Sequence, residues 1–153
     1  MKFWEKIMKE FKIYTCGRMS GISYTEQMEW RNTIQRMIEF RTNRKVTFIH
    51  PPMFYGYHDN LHKSEREIRD WELKQICESD IVIVNLDGIM LSVGSHMELG
   101  AVCGANIAGN KQIMVVGFGK SDELLHPWIE LGMLRYEEDM VDAVDYIAKY
   151  LLV

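Results

Sequence analysis

Residues 79–101 read SDIVIVNLDGIMLSVGSHMELGA. Ile81, Val82, Ile83 and Val84 form a short, β-branched and unbroken apolar run, the pattern of a strand buried on both faces. Asn85, Asp87 and Gly88 end it, and a loop carries the chain to Gly94. Ser95 and Glu98 then have the spacing of a capping box, which predicts an apolar, small-residue helix over 99–108 with Glu98 in its first turn. A carboxylate there feels the positive end of the helix dipole, which favours its ionised form. Most glutamates at such positions only cap. This one, however, follows the carboxyl end of a buried parallel strand, where open α/β sheets bind their ligands.

Upstream, Phe11, Ile13 and Tyr14 make a first, central strand ended by Cys16-Gly17, and the loop Gly17-Arg18-Met19-Ser20-Gly21 follows. A helix is predicted over 24–41 with the stripe Trp30, Ile34, Met37, Ile38 and the stem of Arg41. Val46, Phe48 and Ile49 form a second strand, stopped by His50-Pro51-Pro52. The aromatic loop 53–63 suits a lid over a ligand. Its His58 and His62 have no further metal ligand nearby and read as solvent-facing. Ser64 and Glu67 start another capping box and a helix to about Glu78, in which Ile68, Glu72 and Ile76 share one stripe. Glu72 is thus expected to point inward and to need a partner or a raised pKa.

Downstream, 112–116 reads as a fourth strand. The triplet Gly119-Lys120-Ser121 lacks the earlier glycine of a P-loop, since Met114 stands there, so nucleoside triphosphate hydrolysis is rejected. A short segment near 134–136 and a helix from about Glu138 to Leu151 complete the alternation. Strands alternating with helices imply one α/β domain, 1–153, with an amphipathic extension at 1–10. The expected fold is a flavodoxin-like or Rossmann-like doubly wound parallel sheet of about five strands, order 2-1-3-4-5. That order sets loops 17–21 and 87–94 side by side, next to Tyr14 and Glu98.

With 47% hydrophobic and 26% charged residues, the 153-residue chain has the composition of an ordinary soluble globular protein, long enough for its own core. No apolar run reaches membrane-spanning length and no signal peptide is visible. The three cysteines, Cys16, Cys77 and Cys103, point to a reduced, cytoplasmic setting. Cys16 ends the first strand, where a reactive thiol would matter, although a buried structural thiol is the better reading. A formal net charge of −4 argues against a general nucleic-acid binder but not against a small anionic ligand.

The expected crevice gathers Glu98, Glu72, Tyr14, Asn85, Ser20, Ser92, Ser95 and Arg18. It has no dinucleotide fingerprint, metal constellation or nucleophile elbow, and no cofactor is expected. Two carboxylates in one cleft suit glycosyl transfer, one attacking the anomeric carbon while an acid assists the leaving group. Tyr14 could orient the nucleophile, and an ordinary strand-end tyrosine is an equal reading of its position.

The order Ile13-Tyr14-x-x-Gly17, then 79–87, then Gly94-Ser95-x-x-Glu98-Leu99-Gly100-Ala101, resembles the nucleoside 2-deoxyribosyltransferase family, including the related 2'-deoxynucleoside 5'-monophosphate N-glycosidases. His126-Pro127-Trp128-Ile129 is similar to a late segment of that family. The resemblance implies a homodimer or higher oligomer and a double displacement through a covalent deoxyribosyl-enzyme intermediate. By position Glu98 matches the nucleophile and Tyr14 the tyrosine that positions it. Glu72 stands where the family usually has a base-contacting Asp.

Ser92 stands where transferases of free nucleosides tend to have an Asp, and in this it looks like the monophosphate N-glycosidases, whose hydroxyls take phosphate. The resemblance also brings His126 toward the phosphate across a dimer interface. Gly17, Arg18, Met19, Ser20, Asn85, Asp87, Gly94 and Ser95 complete the expected substrate-binding set. The expectation is cleavage of the N-glycosidic bond of a 2'-deoxynucleoside or its 5'-monophosphate, with transfer to another base. Hydrolysis to free base and deoxyribose 5-phosphate is the alternative. A non-catalytic nucleotide-binding module and a glycosidase of ribosyl nucleotides such as NAD or CMP stay open beside it.

Overall fold

The computed structural model describes residues 9–55, 62–109, 111–119 and 126–153. Five strands, β1 (Phe11–Cys16), β2 (Val46–Ile49), β3 (Ile81–Asn85), β4 (Met114–Phe118) and β5 (Arg135–Glu137), form one parallel sheet in the order β2-β1-β3-β4-β5. The helices are α1 (Tyr24–Arg41), α2 (Glu65–Cys77), α3 (Val93–Ala108), α4 (Pro127–Leu131) and α5 (Met140–Tyr146), the last continuing as a wider turn over Ile147–Leu151. The expected amphipathic extension falls almost wholly outside the described residues, as do His58, Lys120 and Ser121.

Both faces of the sheet are covered, which is why β3 has no polar alternation. Ile81 and Ile83 point to one side with Ile13, Val116 and Phe118, and pack under Ile34 and Ile38 of α1 and Ala143, Val144 and Ile147 of the last helix. Val82 and Val84 point to the other side with Tyr14, Cys16 and Val115, beneath Ile76 of α2 and Leu99 and Val102 of α3. Each such side chain taken fully from water stabilises the fold by roughly 1.5–3 kcal/mol. Asp80 fixes the β1–β3 register at the end of the sheet remote from loops 17–21 and 87–94. Its carboxylate accepts from the Lys12 amide at 2.9 Å, and its own amide donates to the Lys12 carbonyl at 2.8 Å. Chain direction after β1 runs toward β2 and after β3 toward β4, so a crevice opens between their carboxyl ends.

Three boundaries differ from the sequence expectation. Helix α3 begins at Val93, six residues earlier than predicted, because Ser92 is extended (φ −111°, ψ 93°) and its hydroxyl accepts from the Ser95 amide. The Ser95–Glu98 capping box is therefore not formed, and Glu98 lies beyond the first turn. Strand β4 starts at Met114, not 112, because the Asn106 side chain takes both backbone groups of Ile113 (2.7 and 3.0 Å). The last helix starts at Met140, where Asp139 caps the Val141 amide at 2.7 Å. On α1 the buried stripe is Gln27, Met28, Arg31, Ile34 and Ile38, with Trp30 and Met37 packed at its edge and Arg41 paired with Asp145 at 2.7 Å.

Candidate active site

At the crevice lies a cavity of about 470 Å³, walled by Gly17, Met19, Ser20 and Gly21 from the first loop, Gln27 from α1, Ile68, Arg69, Glu72 and Leu73 from α2, and Ser92, Gly94, Ser95, Met97 and Glu98 from α3. Helical periodicity delivers its carboxylates. Ser95, Glu98, Leu99 and Val102 are the buried face of α3, so Glu98 stands one turn below Val102 and beside Ser95. Glu72 lies one turn before the fully buried Ile76 on α2, which packs against α3.

Glu98 is only 7% exposed. Burial pushes its carboxyl well above the usual carboxylate range, against the pull of the Cys16 thiol, the Tyr14 hydroxyl and the Arg31 charge. The expectation of a dipole-ionised carboxylate in the first turn is thus corrected: desolvation dominates, because the helix starts earlier and Glu98 sits deeper. Burial likewise pushes Glu72 up, to about 8, with the Glu98 charge as the second cause. Burial and the neighbouring Glu98 charge both oppose ionisation of Glu72, so the state they favour near neutrality is one proton held between the two carboxyls. Cys16, Tyr14 and the Arg31 charge pull Glu98 down while the Glu98 charge pushes Glu72 up, so Glu98 is the readier of the two to ionise and Glu72 the readier to keep a proton.

Behind the pair, Tyr14 is fully buried, and burial followed by the Glu98 charge raises its phenol far above normal. Burial raises the Cys16 thiol in the same way, so it is protonated and unreactive. Arg31 is also fully buried. One guanidinium nitrogen donates to the Gln27 carbonyl, another to the Gly17 carbonyl at 3.3 Å, and its plane lies 4.4 Å from the Trp30 ring. Gln27 donates its amide to the carbonyls of Met19 (2.8 Å) and Ile22 (3.1 Å), which fixes the first loop and turns its Oε1 away from them. His50 lies between Thr15 (2.8 Å) and Gln35 (2.7 Å), and burial, then Arg31, lowers its pKa to about 4, leaving it neutral.

Among the described residues, the buried side-chain polar atoms without a hydrogen-bond partner are Tyr14 Oη, Gln27 Oε1, Arg31 Nε and one Glu72 oxygen. Such atoms are rare in folded proteins and costly to leave unpaired. Gln27 and Glu72 line the cavity, and Tyr14 and Arg31 act on its two carboxylates. Their concentration around one hollow marks a place built for a polar ligand.

Of the expected set, Glu98, Glu72, Gly17, Met19, Ser20, Ser92, Gly94 and Ser95 meet at the cavity, with Tyr14 directly behind it. Four expected residues do not line it. Arg18 folds back to donate to the Ser20 carbonyl at 2.9 Å and packs against Gly88. Asn85 accepts from the Asp87 amide at 3.0 Å, and Asp87 packs against Gly119, away from the hollow. His126 caps α4 through the Trp128 amide and lines a separate apolar cavity with Met90, Leu99, Cys103 and Ile129.

Gln27 and Arg31 were missed in the sequence. Their signal was present: positions 27, 31, 34 and 38 repeat at helical spacing, and polar residues on such a stripe must be paired or functional. Among the described residues no group of three or more His, Cys, Asp or Glu side chains is placed to hold a metal, and no helix is long and apolar enough to cross a membrane.

No protein-family model matches the sequence, and no curated protein matches it. Solved structures do. A 2-deoxyribosyltransferase from Bacillus psychrosaccharolyticus is similar with a TM-score of 0.60 and 19% identity over 88% of this chain and 91% of its own. A conserved protein from Enterococcus faecalis V583 has a TM-score of 0.67 and 15% identity over 91% and 98%. A CMP N-glycosidase from Clostridium botulinum has a TM-score of 0.50 and 14% identity over 91% and 99%. The five-stranded α/β fold of this chain is the one found in a 2-deoxyribosyltransferase and a CMP N-glycosidase, in keeping with the resemblance carried by its own motifs.

Proposed function

We propose that the chain cleaves the N-glycosidic bond of a 2'-deoxynucleoside or its 5'-monophosphate through a covalent deoxyribosyl-Glu98 intermediate and passes the sugar to another nucleobase. The observation that carries this reading is a buried carboxyl, Glu98, and a half-buried one, Glu72, both raised by desolvation at the wall of one cavity beside an unpaired Tyr14 hydroxyl. A Glu98 oxygen forms the bond to the anomeric carbon as the carbon–nitrogen bond breaks, and the departing base takes the Glu72 proton. Tyr14 orients the Glu98 carboxylate. In the second step an acceptor base attacks the same carbon, gives its proton back to Glu72 and frees Glu98.

Hydrolysis of the 5'-monophosphate is the second reading. It is favoured by Ser92 and Ser95, whose hydroxyls lie 2.7 Å apart on the cavity wall at the start of α3, where donors and the helix dipole suit a phosphate. The sugar reaches water when no base occupies the acceptor position. A homodimer fits the outward faces of α3 and α4, where Val93, Ile107, Trp128 and Leu131 are each more than three-quarters exposed, and where His126 would reach a partner's site. Light scattering on the purified protein checks this assembly.

The decisive experiment incubates the protein with deoxynucleosides, deoxynucleotides and their ribo counterparts, with and without a second free base, and follows the products. Intact mass after an acid quench should show a deoxyribosyl adduct on wild type. Glu98→Gln should lose both adduct and turnover without loss of thermal stability, since Glu98 is not a helix cap. Tight stoichiometric binding with no base released from wild type would instead leave a nucleotide-binding module.

A further inference from the structure

We propose that Arg31 is the positioning residue of the carboxyl pair, a buried counter-cation that holds Glu72 and Glu98 to one negative charge between them throughout the reaction. The inference rests on reading Glu98 as nucleophile and Glu72 as acid.

The guanidinium has no exposure, and it is pinned at the carboxyl end of β1 by the Gln27 and Gly17 carbonyls and by the Trp30 ring. Gly17 itself walls the cavity, so the charge stands just behind that wall. None of the ion pairs among the described residues includes Arg31, and its Nε has no partner. A buried cation is costly unless a negative charge answers it.

The titratable groups within electrostatic reach of it are Tyr14 and Cys16 of β1, His50 after β2, Glu72 of α2 and Glu98 of α3. Burial keeps Tyr14 and Cys16 protonated and His50 uncharged, so only the two carboxyls can answer it. Burial lowers Arg31 itself only to about 10, and it is charged at neutral pH. One ionised carboxyl makes the site neutral, whereas two leave it with a net negative charge and none with a net positive one. The reaction preserves that balance. As the bond to the anomeric carbon forms, Glu98 becomes a neutral ester. The electron pair of the breaking bond goes to the base nitrogen, which takes the Glu72 proton. The negative charge has moved from Glu98 to Glu72 within reach of the same guanidinium, and no net charge enters or leaves the site.

The test is a carbon-13 titration of glutamate carboxyls in wild type, Arg31→Lys and Arg31→Gln, with Glu72→Gln and Glu98→Gln to assign the signals. Loss of the charge in Arg31→Gln should raise the midpoints of the pair by about 1 pH unit or more, and Arg31→Lys should restore them to within about half a unit. A folded Arg31→Gln with unmoved midpoints overturns the proposal. Should Arg31→Gln not fold, wild type decides: the Arg31 Nε–H resonance should shift through the midpoint of the pair, and a flat Nε–H resonance overturns it. Glu98-dependent turnover with unmoved midpoints sinks the role of Arg31 alone. Shifted midpoints without any turnover sink the catalytic reading alone.

Discussion

Glu72→Gln tests the shared proton most directly, because it changes stability with a sign that follows from burial. In the unfolded chain Glu72 titrates in the ordinary range near 4.3. In the folded chain burial, then the Glu98 charge, pushes it to about 8. Between these values the native state holds a proton that the unfolded state has released. Stability contributed by that proton is complete below the ordinary range and is lost as the pH rises through the native midpoint. The slope is about 1.4 kcal/mol per pH unit, so one held proton removes about 3 kcal/mol between about pH 5 and pH 7. Glutamine is neutral throughout and keeps the shape of the side chain. The stability of Glu72→Gln relative to wild type should therefore climb by about 3 kcal/mol over that interval. Urea unfolding at several pH values, read by tryptophan fluorescence, measures it; Trp30, edge-on to Phe118 at 5.6 Å, reports on the core. Base release should fall by roughly 10²–10⁴-fold at the same time, since the acid is gone. Stability curves that stay parallel within about 0.5 kcal/mol would refute the shared proton, whatever the activity does.

Tyr14→Phe removes a buried hydroxyl that has no hydrogen-bond partner, so its melting temperature should hold or rise while kcat falls on the order of 10²-fold. A matching loss of stability would show that the hydroxyl is structural. Ser92→Ala deletes the cap of α3 and should cost about 1 kcal/mol in chemical denaturation. If Ser92 also takes phosphate, KM for a 5'-monophosphate should rise more than KM for the nucleoside; an unchanged ratio leaves it a cap only. Gly17→Ala would place a methyl group 2.8 Å from the Trp30 ring, behind the cavity wall. That overpacking should cost about 1–3 kcal/mol in urea unfolding, and a neutral result would mean the ring can move aside.

The alternation of short β-branched runs with helical stripes was enough for the fold. Ile81–Val84 is apolar on both faces because helices cover both, and right-handed crossovers leave few sheet orders for five such strands. The inward turn of Glu72 was equally local, since Ile68 and Ile76 flank it one turn away on either side. Where competing local partners exist, sequence alone misjudged the outcome. Ser92 and Ser95 both suit a cap, and the short turn over Ile89–Leu91 decided for Ser92, which took Glu98 out of the first turn. Arg18 carries the right chemistry in the right order along the chain, yet a loop contact occupies it elsewhere. Only the tertiary structure could bring Arg31 and Gln27 of α1 to a site made by α2 and α3, because that meeting depends on three helices converging at one end of the sheet. The ionisation of the carboxyl pair belongs to the same class. A proton's place is set by the water excluded and the charges gathered around it, and neither exists until the chain has folded.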